Sequence, residues 1–413
     1  MNKALRICSA QELNETHNLK SKIPKMDFEL TEEQRMIRDT AAAFVAKEVK
    51  PYAQQMDRDA VYPSELVHRL GALGFMGMCI PQEFGGAGTD FVSYVIAMEE
   101  ISKGWASLSV VMSVNNSLIC APIHRFGSTE QKNRCLAPLA RGQWLGCYAL
   151  TEPGAGSDAG SIQTRAQRVG EDYVLTGNKI FTTNGSHANI ALVYAVTDPA
   201  KGKKGISAFL VETNTAGFTV SRLEDKLGLR SSDTASITLD NCHVPQNNLL
   251  GKEGDGFRIA LATLDAGRIG IAAQALGIAQ ACLDESLAHA QQRQQFGQPI
   301  ANFQAIQWML ADMSTEIDAA RLMTYRAAWL AQEGKTFTKE AAMAKLFASE
   351  ACNRIAYKAL QIHGGYGYIK DFAVERFFRD ARITTLYEGT SEIQRLVIAR
   401  RLIHGEEVGD ELH

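Results

Sequence analysis

The hydrophobic periodicity of the sequence changes twice, near Tyr148 and near Gly251, and these changes divide the chain into three parts. Residues 27–147 and 256–413 repeat apolar side chains at three- and four-residue spacing, which is typical of α-helices. Residues 148–255 instead hold short β-rich runs separated by turns rich in Gly, Asn and Asp. The pattern predicts an α+β fold in which an N-terminal helical domain, a middle antiparallel β-domain and a C-terminal four-helix bundle follow one another.

Signals at helix ends refine the two helical parts. Residues 257–291 are apolar almost all round, which predicts a helix buried inside a bundle. Thr338 is a candidate N-cap for a later helix that runs to Gly364, and Thr31 is the expected N-cap of the first helix. Pro51 is expected to end that first stretch, because proline lacks the N–H that an interior helical position donates.

Composition excludes several classes of protein. With 413 residues, 46% of them hydrophobic and 22% charged, and a formal net charge of -3, the chain is ordinary for a soluble globular protein and has no broad positive field for nucleic acid. The eight cysteines form no CxxC pair and have no metal-ligand spacing, so reduced thiols and no metal site are expected. No segment approaches the apolar length that spans a bilayer.

Residues 1–26 precede the helical pattern and lack an apolar signal core. Their acidic residues and single arginine argue against an organellar transit peptide, so a disordered extension is expected. The expected location is the cytoplasm of a bacterium, or the mitochondrial matrix if the host is eukaryotic.

A candidate catalytic carboxylate lies near the C-terminus, in residues 386–394 (LYEGTSEIQ). Gly389 frees the backbone beside Glu388, and Thr390 is a good N-cap for the helix that follows. Glu388 therefore sits at a loop-to-helix junction, where partial desolvation would raise its pKa toward the range of a general base. Thr385 and Glu388 also fit a capping box, and taken alone the stretch favours this structural interpretation.

Three further segments combine polar side chains with small residues. Residues 148–158 (YALTEPGAGSD) would let backbone N–H groups approach a flat ligand, although a surface loop has the same composition. Residues 179–185 (KIFTTNG) place an aromatic and two hydroxyls at a strand end, which needs no ligand. Residues 293–299 (RQQFGQP) begin with Arg293, whose guanidinium matches the paired oxygens of a diphosphate but also suits a solvated helix end.

Together with residues 264–270 (LDAGRIG) and 361–367 (QIHGGYG), these segments form an ordered set. In this order and spacing the chain closely resembles the acyl-CoA dehydrogenases, and it looks nearest to their short-chain, butyryl-CoA branch. The resemblance runs from about Asp27 to Ile403 and rests on six spaced motifs. The N-terminal extension lies outside it.

The resemblance implies a flavoprotein and gives roles to residues of this chain. The FAD isoalloxazine would be held by Tyr148, Leu150, Thr151, Gly156, Ser157, Phe181, Thr182 and Thr183. Thr151 and Thr183 would hydrogen-bond the ring edge. The diphosphate and adenosine would be bound across a subunit boundary by Arg293, Phe296, Gln304, Gln361, Ile362, Gly364 and Gly365. The N-terminus of the last helix, which favours anionic phosphate, would add Thr390, Ser391 and Glu392.

For the substrate, the resemblance implies a short-chain acyl-CoA contacted by Ser157, Asp265, Arg268, Tyr387 and Gly389. Glu388 would be the base that removes the α-proton while the β-hydrogen leaves as hydride to FAD, giving a trans-2-enoyl-CoA. The backbone N–H of Glu388 would donate to the thioester carbonyl and stabilise the developing enolate. Electrons would pass to electron-transferring flavoprotein, and the enzyme would be a homotetramer.

The position of the base differs within the family. Some relatives, such as the isovaleryl branch, place the carboxylate on the helix that here includes residues 264–268. This chain has Gly267 at that position and keeps Glu388. The resemblance therefore places the base at Glu388.

Three other functions remain open at this stage. A flavin oxidase of the same superfamily would pass electrons to oxygen. A non-catalytic acyl-CoA-binding protein on the same fold should lack the base or the FAD contacts, and both sets are present here. A dehydrogenase for a branched or cyclic short acyl-CoA would differ in the residues that line the pocket.

Overall fold

The computed structural model describes residues 29–405, so the expected N-terminal extension lies outside the described range. Two helical regions flank a β-sheet, which confirms the predicted three-part architecture. The N-terminal helices are α1 Glu32–Phe44, α2 Lys50–Asp59, α3 Ser64–Ala72, α4 Phe91–Gly104, α5 Ala106–Ser113, α6 Ala121–Phe126, α7 Thr129–Gln131 and α8 Ala137–Ala140. Neighbouring helices in this region are joined by π-helical segments at Val45–Val49, Val114–Cys120 and Lys132–Leu136.

Of the two sequence signals in the first two helices, the Thr31 N-cap is confirmed and the Pro51 helix end is not. α1 begins at Thr31, whose hydroxyl accepts the Gln34 N–H at 3.2 Å in a capping box, as predicted. The predicted stop at Pro51 is wrong, because the chain continues through Val45–Val49 into α2 and Pro51 lies in the first turn of α2. Proline is tolerated there since first-turn N–H groups have no partner within the helix.

The middle region is a single sheet of eight strands. They are β1 Gly146–Ala149, β2 Arg165–Val169, β3 Asp172–Thr183, β4 Ile190–Val196, β5 Ile206–Glu212, β6 Phe218–Leu223, β7 Thr234–Val244 and β8 Leu249–Leu250. Their order is β6-β7-β3-β2-β4-β5-β8, and β1 also pairs with β4. Most pairings are antiparallel as expected, but β1 and β2 each pair in parallel with β4, which corrects the expectation of an antiparallel domain. The reason is that β2 and β3 intervene between β1 and β4 and provide the long connection that a parallel pair needs.

The alternation of β4 shows how the sheet meets the helices. Ile190, Leu192 and Tyr194 face the large core shared with the helical regions, whereas the residues between them face a second core on the other side of the sheet. Tyr148 of β1 packs against the large core. The Tyr148 side chain therefore faces the helices, whereas Cys147 and Ala149 face the second core.

The C-terminal region consists of long helices packed on one another. They are α9 Gly256–Gln292, α10 Gln304–Gln332, α11 Thr338–His363, α12 Val374–Ile383 and α13 Ser391–His404, with the short strands β9 Gln294–Gln295 and β10 Gln298–Pro299 between α9 and α10. α11 packs on α9, α10 and α13. Thr338 does not cap α11 as predicted, because its hydroxyl instead donates to Asp265 Oδ2 on α9 at 2.6 Å.

Two helical stretches correct the expectation that no segment is apolar enough to span a bilayer. Ala106–Phe126 and Gly256–Gln292 are long and apolar enough by composition. However, 94% of the most apolar part of the first stretch and 72% of that of the second are buried inside the protein. Their apolar surfaces therefore form the core, as expected for helices that are hydrophobic all round.

Candidate active site

Glu388 lies in the loop between α12 and α13, on a turn with unusual backbone geometry. Its φ is 51° and that of Gly389 is 93°, so the left-handed conformation extends to a non-glycine residue. Such strain persists only where surrounding contacts hold it. Here Gln394 Nε2 donates to the carbonyl oxygens of Glu388 at 3.2 Å and Gly389 at 2.8 Å. Thr390 caps α13 as predicted, accepting the Ile393 N–H at 3.4 Å.

The carboxylate of Glu388 lies against α9. The residue as a whole is only half-buried, but its Oε2 atom is enclosed and has no hydrogen-bond partner among residues 29–405. A Cβ atom at Gly267 would lie 2.1 Å from this oxygen and 3.0 Å from Leu118 Cδ2. With the carboxylate in this place, position 267 therefore has room only for glycine.

Burial controls the protonation of this carboxyl group. Removal from water raises the pKa of Glu388 to about 7, and the positive charges of Lys345 and Arg268 partly oppose the rise. The capping-box interpretation is not supported, because α13 begins only after Thr390 and the Thr385 hydroxyl donates to Arg382 O at 3.2 Å. Glu388 thus has the environment of a general base rather than that of a cap.

Three tyrosines surround the carboxylate. Tyr387 donates its hydroxyl to Gln274 Oε1 on α9, and Tyr94 on α4 donates to Ser113 Oγ at 3.3 Å. The Tyr148 hydroxyl is enclosed and has no partner in the described part of the chain. Burial is the main cause that raises the pKa of each tyrosine, and the charge of Glu388 adds to it. All three therefore stay neutral, and the charges that act on Glu388 are those of Lys345 and of Arg268, which is paired with Asp265.

The expected acyl-CoA contacts on α9 are paired with each other. Arg268 Nη1 donates to Asp265 Oδ1 at 2.5 Å, and the other Asp265 oxygen accepts the Thr338 hydroxyl. Arg268 is 3% exposed, and its charge acts on Glu388. The structure thus brings Arg268 and Glu388 together, whereas Ser157 lies exposed on the loop after β1.

Residues expected at the isoalloxazine meet where the loop after β1 crosses β3. The Ile180 N–H donates to Thr151 O at 2.9 Å, and Lys179 Nζ donates to Leu150 O at 3.0 Å. Lys179 is itself buried and bound to Glu152 at 2.7 Å, so this crossing is fixed by an internal ion pair. These bonds hold the loop and the strand end as one unit.

This unit presents several side chains at its surface. Phe181 has a φ of 55° and is 63% exposed, and Gly156 is also exposed. Thr183 is half-buried, while Thr182 is buried and its hydroxyl has no partner within residues 29–405. At the N-terminus of α13, Ser391 is likewise buried and its hydroxyl has no partner within residues 29–405, while Glu392 is exposed.

Residues expected at the diphosphate and adenosine form a separate group at the far end of α9. Arg293 directly follows α9, and its guanidinium lies over the Tyr366 ring at 5.3 Å. Around it, Ile362 is buried and the exposed members are Phe296, Gln304, Gln361, Gly364 and Gly365. Since a helix rises 1.5 Å per residue, Arg293 lies roughly 37 Å from Arg268 along α9. Within one chain the Arg293 group therefore lies far from Arg268 and the Glu388 carboxylate on which Arg268 acts.

Sequence reasoning missed three residues of the site, Lys345, Gln394 and Leu118. Lys345 is fully buried on a face of α11 formed largely by alanines, such as Ala341, Ala344 and Ala348. A charged residue that interrupts an apolar helical stripe is the signal that could have revealed it.

Comparisons with known proteins match nearly the whole described chain. Family models for the N-terminal, middle and C-terminal domains of acyl-CoA dehydrogenases match residues 31–143, 147–242 and 254–403. The short-chain specific acyl-CoA dehydrogenase, mitochondrial, of Rattus norvegicus is 51% identical over 375 residues, which cover 91% of each chain. The butyryl-CoA dehydrogenase of Megasphaera elsdenii superposes with a TM-score of 0.90 and 45% identity over 92% of this chain and 100% of that one.

A chain solved in work on the electron transferring flavoprotein of Acidaminococcus fermentans superposes with a TM-score of 0.91 and 47% identity, over 92% of this chain and 100% of that one. Three domain models in the right order and identities near one half leave no other family to consider. The chain belongs to the acyl-CoA dehydrogenase family, the flavoprotein oxidoreductases of fatty acid β-oxidation.

Proposed function

We propose that this enzyme dehydrogenates a short-chain acyl-CoA to the trans-2-enoyl-CoA, with Glu388 as the base, FAD as hydride acceptor and electron-transferring flavoprotein as electron acceptor. The observation that carries the proposal is the enclosed carboxylate against Gly267, whose burial raises the pKa of Glu388 to about 7. A base with a pKa near the working pH is well matched to proton transfer. The names of the relatives support the substrate class and the electron acceptor.

In the proposed reaction the protein's own residues would accept a proton and stabilise the negative charge that forms. Glu388 would take the α-proton, and the neutral tyrosines and the α9 wall around it would keep water from competing. Its backbone N–H is expected to donate to the thioester oxygen, where negative charge develops. One residue would then supply both the base and an enolate-stabilising donor, which explains why its turn has to be held so firmly.

The residues present fit FAD. The unpartnered hydroxyls of Thr182 and Ser391 and the exposed ring of Phe181 offer donors and a flat face. A Cβ at Gly156 or Gly364 would meet nothing within 4 Å, so the backbone there is open to close approach by a ring or a phosphate. When bound, FAD supplies the acceptor for the β-hydride.

We infer that the chain forms a homotetramer in which the Arg293 group completes the FAD site of a neighbour. The Arg293 group lies beyond the C-terminal end of α9, roughly 37 Å along that helix from Arg268, whose charge acts on Glu388. Near Arg293 the surface carries large exposed aromatics, with Phe296 93%, Tyr368 85% and Trp308 64% exposed. Aromatic residues of this kind are enriched at protein–protein interfaces.

Arg293→Ala should weaken FAD retention without dissociating the tetramer. The substitution would remove charge-assisted hydrogen bonds to the diphosphate, which contribute about 1.5–3 kcal/mol, or roughly 10- to 100-fold in affinity. FAD per chain after gel filtration and sedimentation velocity are the two measurements. Arg168→Ala, at an exposed position on β2, is the control and should keep its FAD. A tetramer of Arg293→Ala with unweakened FAD affinity, or a monomeric wild type with full FAD, would contradict the inference.

Anaerobic addition of acyl-CoA thioesters to the wild-type holoenzyme tests the reaction and its substrate class. The flavin should bleach fastest with butyryl-CoA and at least about tenfold more slowly with octanoyl-CoA, because differences of a few methylenes in an apolar pocket are worth about 1–3 kcal/mol. Faster bleaching by branched or cyclic substrates would favour that alternative, and no bleaching by any acyl-CoA would contradict the proposal. Oxygen consumption as rapid as turnover with electron-transferring flavoprotein would identify an oxidase.

A further inference from the structure

Lys345 on α11 contacts the loop that carries Glu388. Its side chain is fully buried, and its Nζ donates to the carbonyl oxygen of Gly389 at 2.7 Å. Gln394 Nε2 donates to the same oxygen and to that of Glu388. The two consecutive left-handed residues are thus held through their carbonyl groups by side chains from α11 and α13.

The charged groups that face Lys345 come from α9, α11, α13 and the Glu388 loop. Burial is the largest effect and lowers the pKa of Lys345 to about 7. Glu388 favours the ammonium form, Arg268 opposes it, and Glu350 and Glu392 add weaker attraction. The charges that act on Glu388 are those of Lys345 and Arg268, and Arg268 is in turn paired with Asp265 at 2.5 Å. The three tyrosine neighbours of Glu388 are neutral.

We propose that Lys345 is a positioning residue for the dehydrogenation: it fixes the turn that carries Glu388 through the Gly389 carbonyl, and its charge keeps the carboxylate available as a base. The inference rests on the proposed role of Glu388. A lysine is costly to bury, and an uncharged donor would satisfy the Gly389 oxygen at lower cost. A lysine at this position therefore indicates a role for the charge in addition to the hydrogen bond to Gly389.

The charge of Lys345 should affect how the rate of flavin reduction depends on pH. A base acts in its deprotonated form, so flavin reduction by the wild type should rise with pH through the pKa of Glu388, about 7. Because burial lowers the pKa of Lys345 to about 7, its charge supports the carboxylate below and near that pH and is lost above it. Removal of the charge at position 345 takes this support away and raises the pKa of Glu388 further. The rate should then fall at neutral pH and recover at higher pH.

The test is anaerobic stopped-flow reduction with butyryl-CoA across a range of pH, using Lys345→Met and Lys345→Gln holoenzymes. Methionine retains the length of the side chain without charge or N–H donor, whereas glutamine retains a donor without charge. In both variants the midpoint of the rise should move up, by at most about one pH unit because the wild-type Lys345 is itself only partly charged near pH 7. Lys345→Gln should recover more of the plateau rate, and Lys345→Arg, with charge and donor, should keep its midpoint near that of the wild type.

Lys358→Met is the matched control, because Lys358 lies on the same helix but pairs with Asp312 near the surface at 3.0 Å. Its midpoint should not move. Unchanged midpoints in Lys345→Met and Lys345→Gln, or equal loss of rate at every pH, would overturn the inference and leave Lys345 a structural residue.

A second measurement separates failure of this inference from failure of the proposed function. The infrared carboxyl band that disappears in Glu388→Gln reports the protonation of Glu388 without substrate. If this band titrates identically in the wild type and both Lys345 variants, the positioning role is wrong while the proposed function stands. If Glu388→Gln reduces flavin as fast as the wild type, the proposed function itself is wrong.

Discussion

In Glu388→Gln the flavin should stay oxidised when butyryl-CoA is added without oxygen. Glutamine keeps the shape of the side chain and nearly all of its packing, but it cannot accept the α-proton. Loss of a general base costs about 10² to 10⁴ in rate, and since proton and hydride leave together here, the upper end of that range is expected. A single stopped-flow trace compared with that of the wild type measures the effect.

Binding and folding should survive this substitution. FAD and acyl-CoA contacts do not depend on the charge of Glu388, and the enclosed Oε2 has no partner within residues 29–405 that glutamine would lose. Glu333→Gln, at the exposed C-terminus of α10, is the control for the same chemical change and should reduce normally. A purely local structural role would instead cost stability of about 1 kcal/mol and leave turnover unchanged. Reduction by Glu388→Gln within a few-fold of the wild type would refute the catalytic assignment.

Gly267→Ala should slow flavin reduction by roughly 10²-fold, because misplacement of a reacting group by 1 Å has a cost of that order. The added Cβ would lie 2.1 Å from Glu388 Oε2 and 3.0 Å from Leu118 Cδ2, so the carboxylate must move. Overpacking of this kind costs about 1–3 kcal/mol in stability. The rate of reduction at saturating butyryl-CoA and the thermal midpoint should both be measured.

Gly277→Ala separates displacement of the carboxylate from overpacking of α9. Its Cβ would lie 2.3 Å from Glu99 O and 2.5 Å from Ser102 Cβ, which is an equally tight fit on the same helix. The site is roughly 15 Å further along α9 from position 267. Because Glu99 O belongs to the backbone of α4 and cannot swing aside as a carboxylate can, the control should lose at least as much stability, but it should reduce its flavin within a few-fold of the wild type. Equal loss of rate in both variants would show that helix distortion, and not the position of Glu388, is responsible.

Much of the fold and a candidate base could be predicted from sequence. The change from three- and four-residue spacing to short β-rich runs predicted the helical, β and helical regions. Thr31 and Thr390 were correctly assigned as N-caps, since a cap bonds to an N–H only three residues away. The ordered motifs also singled out Glu388 over Gly267, and the geometry of the site is consistent with that choice.

Other local predictions failed where distant residues compete with neighbours. Thr338 is a residue type that often caps helices, but its hydroxyl donates a hydrogen bond to Asp265 on another helix. Proline usually ends a helix, but a π-helical segment places Pro51 in the first turn of the next helix. Proline is tolerated at that position because first-turn N–H groups have no partner within the helix. The parallel pairing of β1 with β4 likewise depends on the path of the chain between them.

The sequence by itself determined the order of elements, the caps and the candidate base, because each depends on residues close together in the chain. Only the tertiary structure decided the chemistry of that base. Gly267, Lys345 and Glu388 are far apart in sequence, and their meeting encloses the carboxylate, raises its pKa and holds its strained turn. Desolvation and charge act through space, so a pattern along the chain cannot reveal which buried cation will face which carboxylate.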